Sequence, residues 1–364
     1  MTHRTRKSLA VLILTSLSWS PAPLVLSQTL LSQSALAQSV TPPTASTVRI
    51  GFFPNLTHAP ALVAYEKGYY DTQIKGVKVE TKEFTSGTTL NEAFAAGALD
   101  IGFIGPGPVI NGAAKGMPVQ IIAGSANAGA VLVARKDSGV RTLADLAGKN
   151  VAIPALANTQ DVLLRNMLSG AGLKSQSDNG DVTIVSVAPA DVGSAFLNKQ
   201  IDAALVPEPW GAVLEAQGHK VIADEKSIWR GGNYPAAVVI VNTKFAQANP
   251  EIVKGFLKAH LQAVALLNKS PAAAQVAVSS ALLKLANQKI DPRALQRAMQ
   301  RTKFTADVDT EALKEYGQLN INAGYSRKLP DFDKLVNLTM LYSLMETQSK
   351  LPKPGASRTL MGIK

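Results

Sequence analysis

Four short segments combine small residues with neutral hydrogen-bond donors: Asn55-Leu56-Thr57-His58, Ser86-Gly87-Thr88, Gly105-Pro106-Gly107 and Asn158-Thr159-Gln160. Each follows a stretch that reads as a strand and precedes one that reads as a helix. The first backbone N–H groups of a helix have no partner within it, and the helix dipole is positive there. Several such loops converging on one point would bind an anion without any Arg or Lys. The alternative is that Thr88 and Thr159 only cap their helices. His58 could donate to an anion or simply hold its loop, and Asn55 could donate its amide or only close an Asx turn. Glu208, set between Pro207 and Pro209, could accept a ligand amine or pair with a basic residue across the molecule. Trp210 offers an apolar wall to an alkyl or aryl group, or packs between helix and sheet. Tyr234, just before an apolar run, is placed at a hinge.

Enzyme chemistry finds little footing. Cys is absent, which removes thiol nucleophiles, thiolate metal sites and disulfides together. There is no Gly-x-Ser-x-Gly and no His-Glu-x-x-His. Of four histidines only His58 lies in a candidate loop. Gly105-Pro106-Gly107-Pro108 lacks the third glycine of a dinucleotide fingerprint, and Gly148-Lys149 lacks the flanking residues of a P-loop. No cofactor and no metal is expected.

The elements that must carry these loops alternate between strand and helix. Strands are expected at 48–52, 77–84, 101–104, 119–123 and 131–134, and again at 151–153, 182–187, 203–206 and 221–223, with helices between them. Residues 93–104 and 195–206 read as one part used twice: the end of a helix, a polar turn, an aspartate (Asp100, Asp202), then a short apolar run. The two aspartates precede strands, so they are read as turn residues, not catalytic acids. The repeat predicts two similar α/β lobes with a cleft between them at the strand C-termini. Segments 131–134 and 235–241 are read as two strands crossing between the lobes. From Asn249-Pro250 to Met345 the chain is expected to be helical and to return to the first lobe.

The N-terminus carries Arg4, Arg6 and Lys7, an apolar stretch from Leu9 to Leu17, and Ala35-Leu36-Ala37 before Gln38. This predicts an export signal over 1–37. The apolar run is shorter than the roughly 18 residues that span a bilayer. The predicted organisation is a signal at 1–37, a linker at 38–47, a first lobe of 48–134 plus 237–347, a second lobe of 135–236 and a polar tail at 348–364. The net charge is +11 and stays positive without the signal. Its Lys and Arg are scattered, with no basic run interleaved with aromatics, so no nucleic-acid partner is expected.

Residues 51–61, 97–107, 157–161 and 206–210 together make the chain, over roughly 48–345, resemble the substrate-binding proteins of ABC importers, in the aliphatic sulfonate, taurine and nitrate family. The resemblance implies a type II periplasmic-binding-protein fold: two Rossmann-like lobes joined by two crossing strands and closing on one solute. It implies a non-enzymatic, monomeric periplasmic protein that delivers a small organic anion, an aliphatic sulfonate first, to a membrane permease and its ATPase. The loops at Asn55 to His58, Ser86 to Thr88, Gly105 to Gly107, Asn158 to Gln160 and Glu208 to Trp210 match the family's cleft positions, and Asn127 and Tyr234 complete the expected ligand set. No cysteine follows the signal to take a lipid anchor. Nitrate, taurine or a thiamine-precursor pyrimidine remain alternative ligands, and an exported enzyme on the same fold an alternative class.

Overall fold

The computed structural model describes residues 45–350, which form two sheets. The strands are β1 (Thr47–Phe52), β2 (Lys78–Glu83), β3 (Ile101–Ile104), β4 (Val119–Ala128), β5 (Ala130–Ala134), β6 (Asn150–Ile153), β7 (Thr183–Ser186), β8 (Ala203–Pro207), β9 (Lys220–Asp224), β10 (Pro235–Asn242) and β11 (Thr302–Phe304). The first sheet runs β11-β4-β10-β3-β1-β2 and the second β7-β6-β8-β5-β9. Read from the other edge, the first is β2-β1-β3-β10-β4-β11. The two sheets therefore share one order, and β10 and β5 hold the same place in it. In each sheet three strands are parallel, and the next is antiparallel and arrives from the other lobe.

The sequence repeat has a structural cause. Asp100 accepts the backbone N–H of Arg49 at 2.8 Å, and Asp202 accepts that of Asn150 at 3.0 Å. Each aspartate thus sets the register of the third strand against the first, Ile101 beside Ile50 and Ala203 beside Val151. Both carboxylates also hold an arginine, Arg49 and Arg135. They act as turn residues at the end of the sheet away from the cleft.

Three expectations are corrected. Residues 131–134 are not a crossing strand of the first lobe: β5 lies inside the second sheet, between β8 and β9. All five of its residues are buried, so its pattern carries no sign of which sheet it joins. The first crossing is instead at Gly129, whose φ of +96° suits glycine. The second runs through 225–234, so 235–241 is likewise not a crossing strand but belongs to β10, inside the first sheet between β3 and β4. The C-terminal region is also not wholly helical, since β11 pairs with β4.

Helices that position the site are α1 (Ala59–Glu66), α2 (Gly87–Ala95), α3 (Pro106–Ala114), α4 (Thr159–Gly170) and α5 (Trp210–Ala216). Farther along come α6 (Pro250–Lys269), α7 (Pro271–Ala286), α8 (Pro292–Arg301) and α9 (Thr310–Asn322). Helices α6 and α7 pack on α1, and Phe256, Leu257, Val278 and Leu282 join Ile50, Phe52 and Phe103 in one core. Each such side chain contributes about 1.5–3 kcal/mol by leaving water. The second lobe has separate cores on its two sheet faces, around Leu132, Leu163 and Leu205 and around Val133, Phe196 and Val206. None of the described helices is long and apolar enough to cross a membrane. The expected signal, the 38–44 part of the linker and all but the first few residues of the polar tail lie outside the described residues.

Candidate functional site

The C-terminal ends of the six parallel strands meet at a small cavity of about 30 Å³ between the lobes. The first lobe supplies Phe53, Asn55, Thr57 and His58 after β1, Thr85, Ser86 and Gly87 after β2, and Gly105 and Pro108 after β3. The second supplies Pro154, Asn158, Thr159 and Gln160 after β6, Pro189 after β7, and Pro207 at the end of β8. Ala236 of β10 completes it. Four helices of eight or more residues, α1, α2, α3 and α4, start at this cavity.

Its lining contains no Lys, Arg, Asp or Glu. His58 is buried, and burial lowers its pKa from 6.5 to about 3. Its Nδ1 accepts the Phe53 N–H at 3.1 Å, and its ring stacks on Phe53 with centroids 4.2 Å apart. The neutral ring therefore carries its proton on Nε2. Asn55 accepts the Thr57 hydroxyl through Oδ1 at 2.9 Å, which leaves its amide hydrogens for other partners. Thr159 Oγ1 is buried and has no partner in the protein. The site is thus a set of neutral donors and helix dipoles, suited to an acceptor-rich anion.

The caps are Ser86 and Asn158. Ser86 Oγ accepts from Thr89 N–H at 3.4 Å, and Asn158 Oδ1 from Asp161 N–H at 3.0 Å. Neither Thr88 nor Thr159 caps its helix. They also part company: Thr159 lines the cavity, whereas Thr88 is exposed and faces the Leu156 carbonyl at 3.4 Å.

The cavity collects Asn55, His58, Ser86, Gly87, Gly105, Asn158, Thr159 and Gln160 from the expected set. Pro106 opens α3, and Gly107 packs against the Asn158–Thr159 backbone, where an added Cβ would lie 3.3 Å from it. The others stand elsewhere. Leu56 is a core residue whose N–H donates to the Glu208 carbonyl at 2.8 Å. Asn127 sits in β4 opposite Lys303. The Glu208 side chain is fully buried and pairs with Arg301 at 3.0 Å while accepting the Ala212 N–H at 2.9 Å. Its carboxylate is consumed by the protein, so it has none to offer a ligand. Trp210 packs between two cores. Tyr234 is buried, its ring tilted against Trp229 with centroids 4.6 Å apart and set against the Glu225 carboxylate.

Residues from the C-terminal region tie the two lobes together and carry no local signal in the sequence. Arg301 bonds Glu208 and, at 2.7 Å, Glu215. The Tyr316 hydroxyl donates to the Thr159 carbonyl and that of Tyr325 to the Asp161 carboxylate, both in the first turn of α4. Among the described residues no group of three or more His, Asp or Glu could hold a metal ion.

Two lobes of identical strand order, crossed twice and shut over a polar cavity, define a type II periplasmic-binding-protein fold. The chain belongs to the NMT1-like family, whose model matches residues 41–282. It is 31% identical over 206 residues to the taurine-binding periplasmic protein of Escherichia coli, covering 56% of this chain and 62% of that protein. Among solved structures, the alkanesulfonate-binding protein SsuA of Xanthomonas axonopodis, bound to MOPS, matches with TM-score 0.69 at 20% identity, over 81% of this chain and 99% of the other. The periplasmic nitrate-binding protein NrtA of Synechocystis matches with TM-score 0.72 at 18% identity, over 86% and 92%. The desulfurization enzyme DszB matches with TM-score 0.63 at 16% identity, over 83% and 99%, so the fold also houses an enzyme.

Proposed function

We propose that this chain is an extracytoplasmic solute-binding protein of an ABC importer, which closes on the head group of a small organic anion, an aliphatic sulfonate first, and delivers it to a permease and its ATPase. The observation that carries this is the cavity itself: four helix starts and neutral donors, without one charged side chain. A sulfonate presents three oxygens and stays ionised throughout the physiological range, so it can be held entirely by neutral donors. The taurine-binding and alkanesulfonate-binding relatives support the same choice, and NrtA keeps nitrate as the comparison ligand. A carrier fits better than an enzyme, because the cavity offers neither thiol nor carboxylate and the His58 Nδ1 is engaged by the backbone.

In this reading residues 1–37 direct export, the mature protein is a monomer free in the periplasm, and the lobes are 48–128 with 235–347 and 130–224. Calorimetry of the purified protein against methanesulfonate, butanesulfonate, taurine, nitrate and a thiamine-precursor pyrimidine tests the proposal. Sulfonates should bind at one site and be recovered unchanged by mass spectrometry. Binding of the pyrimidine with no heat from any sulfonate would refute the ligand class, and a chemically altered ligand would refute the carrier role.

A further inference from the structure

Both chain crossings between the lobes meet at one buried carboxyl. Strand β9 ends at Asp224, and Glu225 opens a single helical turn in the second crossing, with its side chain shielded from water. Its Oε2 accepts the N–H of Ala130, the residue that follows Gly129 at the first crossing, at 2.8 Å. The other oxygen, Oε1, is buried and stops short of a hydrogen bond. The carboxyl faces Tyr234, which ends the same crossing just before β10 and whose hydroxyl is likewise buried without a bonded partner. The first crossing touches that end too, where the Ala128 N–H approaches the Tyr234 carbonyl at 3.4 Å. Glu225 thus grips both crossings at the second-lobe end and confronts Tyr234 at the first-lobe end. A rotation of the lobes about these crossings changes the separation of the two.

Among the described residues no cation is placed to hold this carboxyl ionised. Lys226 donates to the Gln300 carbonyl, Arg230 pairs with Asp309 and Glu315, and Arg301 pairs with Glu208 and Glu215. The groups that do face Glu225 are Asp224 on its own segment, Tyr234 beside β10 and Tyr316 of α9. Asp224 opposes a second negative charge, and burial keeps both phenols protonated. Burial also raises Glu225 itself from 4.5 to about 7. Ionising it in place would set an unpaired charge in a dry site, which is costly.

We propose that Glu225 is a pH-responsive catch on the hinge: its neutral form holds the lobes in the arrangement seen here, and its ionisation favours their separation, which admits water to Oε1. Solute is then held more tightly in acid than in alkali. The sign follows from linkage. With the lobes together the carboxyl is neutral below about 7; once hydrated, with the lobes apart, it is ionised above about 4.5. Bringing the lobes together therefore takes up a proton between these values, and the affinity gained on that account is lost as pH rises to about 7. One proton bounds the effect at about tenfold in affinity per pH unit. His58, lowered to about 3, stays neutral over this range, and a sulfonate stays ionised, so neither contributes. The effect on solute rests on the carrier reading given above; the catch itself does not.

The test is calorimetry of methanesulfonate from about pH 5 to about pH 8, in buffers of different ionisation enthalpy so that protons are counted directly. The wild type should take up a large fraction of one proton on binding near pH ~6 and lose about tenfold or more in affinity across the range. Glu225→Gln keeps an oxygen for the Ala130 N–H and cannot ionise. It should bind without pH dependence, at the affinity of the wild type in acid, and take up no proton. This separates Glu225 from Glu208, whose carboxyl burial raises as well. If that variant does not fold, Tyr234→Phe removes the phenol that favours the ionised form and should shift the uptake to higher pH; an unshifted uptake overturns the catch. A level wild-type affinity without proton uptake, or undiminished uptake in folded Glu225→Gln, also overturns it and leaves methanesulfonate binding intact. If no anion binds, the carrier reading fails alone and small-angle scattering of the unliganded protein decides. Expansion over the same pH range in the wild type but not in Glu225→Gln supports the catch; an unchanged radius overturns it.

Discussion

Replacing Gly105 by alanine sets a methyl group where the two lobes touch. The new Cβ would stand 1.9 Å from Thr159 Oγ1 and 3.1 Å from Thr159 Cβ, against ordinary contacts of 3.4–4 Å. Rotating the Thr159 hydroxyl away relieves the first clash, but the second remains and the Ala236 carbonyl waits at 3.5 Å. The lobes must therefore separate or strain. Overpacking of this kind costs about 1–3 kcal/mol, which lowers the closed population, and with it the apparent affinity, by about 5- to 150-fold. The backbone itself gives no reason for damage. Gly105 has φ −70° and ψ 156°, which alanine adopts freely. The loss of a glycine N-cap and the reduced entropy of the unfolded chain are each a fraction of a kcal/mol and oppose one another. Calorimetry with methanesulfonate should therefore show the full loss of affinity while the melting temperature of the unliganded protein moves little. Small-angle scattering should show the wild type contracting on ligand addition and Gly105→Ala contracting less. Thr159→Ala removes the nearest atom, so adding Gly105→Ala to it should cost less than it does in the wild type. Wild-type affinity in Gly105→Ala, or equal cost in both backgrounds, would refute the argument that this contact gates closure.

Tyr316→Phe removes the hydroxyl that holds the Thr159 carbonyl; one hydrogen bond of about 1 kcal/mol predicts a dissociation constant raised about fivefold, with faster hydrogen exchange in the first turn of α4. Tyr325→Phe should cost more, since its acceptor is the Asp161 carboxylate, and unchanged affinity in both variants would show that the brace does not serve closure. Arg301→Met strands the Glu208 carboxylate, whose side chain is 0% exposed, and should destabilise the fold by about 3–5 kcal/mol in urea denaturation; the double variant with Glu208→Gln should recover part of that loss. Stability should also decline toward acid. His58 and His260, lowered by burial from 6.5 to about 3 and about 4, take up protons only in the unfolded chain. Glu225, raised by burial from 4.5 to about 7, holds a proton only in the folded one, and so opposes them. Counting His58, His260 and Glu225 alone, between pH 4.5 and 6.5 unfolding gains about two protons and releases about one, a net loss of about 1.4 kcal/mol per pH unit on acidification; burial also raises the Glu208 carboxyl, which makes the slope shallower. Glu225→Gln removes the opposing proton and should steepen the slope of denaturant midpoint against pH; a slope of opposite sign in the wild type would contradict the assignment.

What the sequence discloses of this architecture depends on how local each signal is. Asp100 and Asp202 are legible because each acts on the turn and strand beside it, and the same act leaves the same residues twice. Residues 130–134 are not legible in this sense, since a strand buried on both faces has no polar phase to say which sheet claims it. Thr88 and Thr159 look equivalent as letters, each close behind a helix-capping residue. Thr159 follows its cap, Asn158, directly, whereas Thr88 lies two places beyond Ser86. With 3.6 residues per turn, one place rotates a side chain about 100° around the helix, enough to move it from inside the cleft to outside. Glu208 gives a sharper case. Its place between two prolines marks it as held rigidly, yet nothing nearby says what it is held for. Its partner Arg301 comes 93 residues later, from a helix that reads only as amphipathic. The side chains that line the inter-lobe cavity are thus encoded next to the strands that present them, while those that brace the lobes around it are encoded at long range. Substitutions at the first set should change which anion is bound, and substitutions at the second should change how tightly any anion is held. Measured against methanesulfonate, taurine and nitrate, a loss that differs between anions in Asn55→Ala and a uniform loss in Tyr316→Phe would separate the two; the same profile from both would mean that solute selection and lobe closure share their residues.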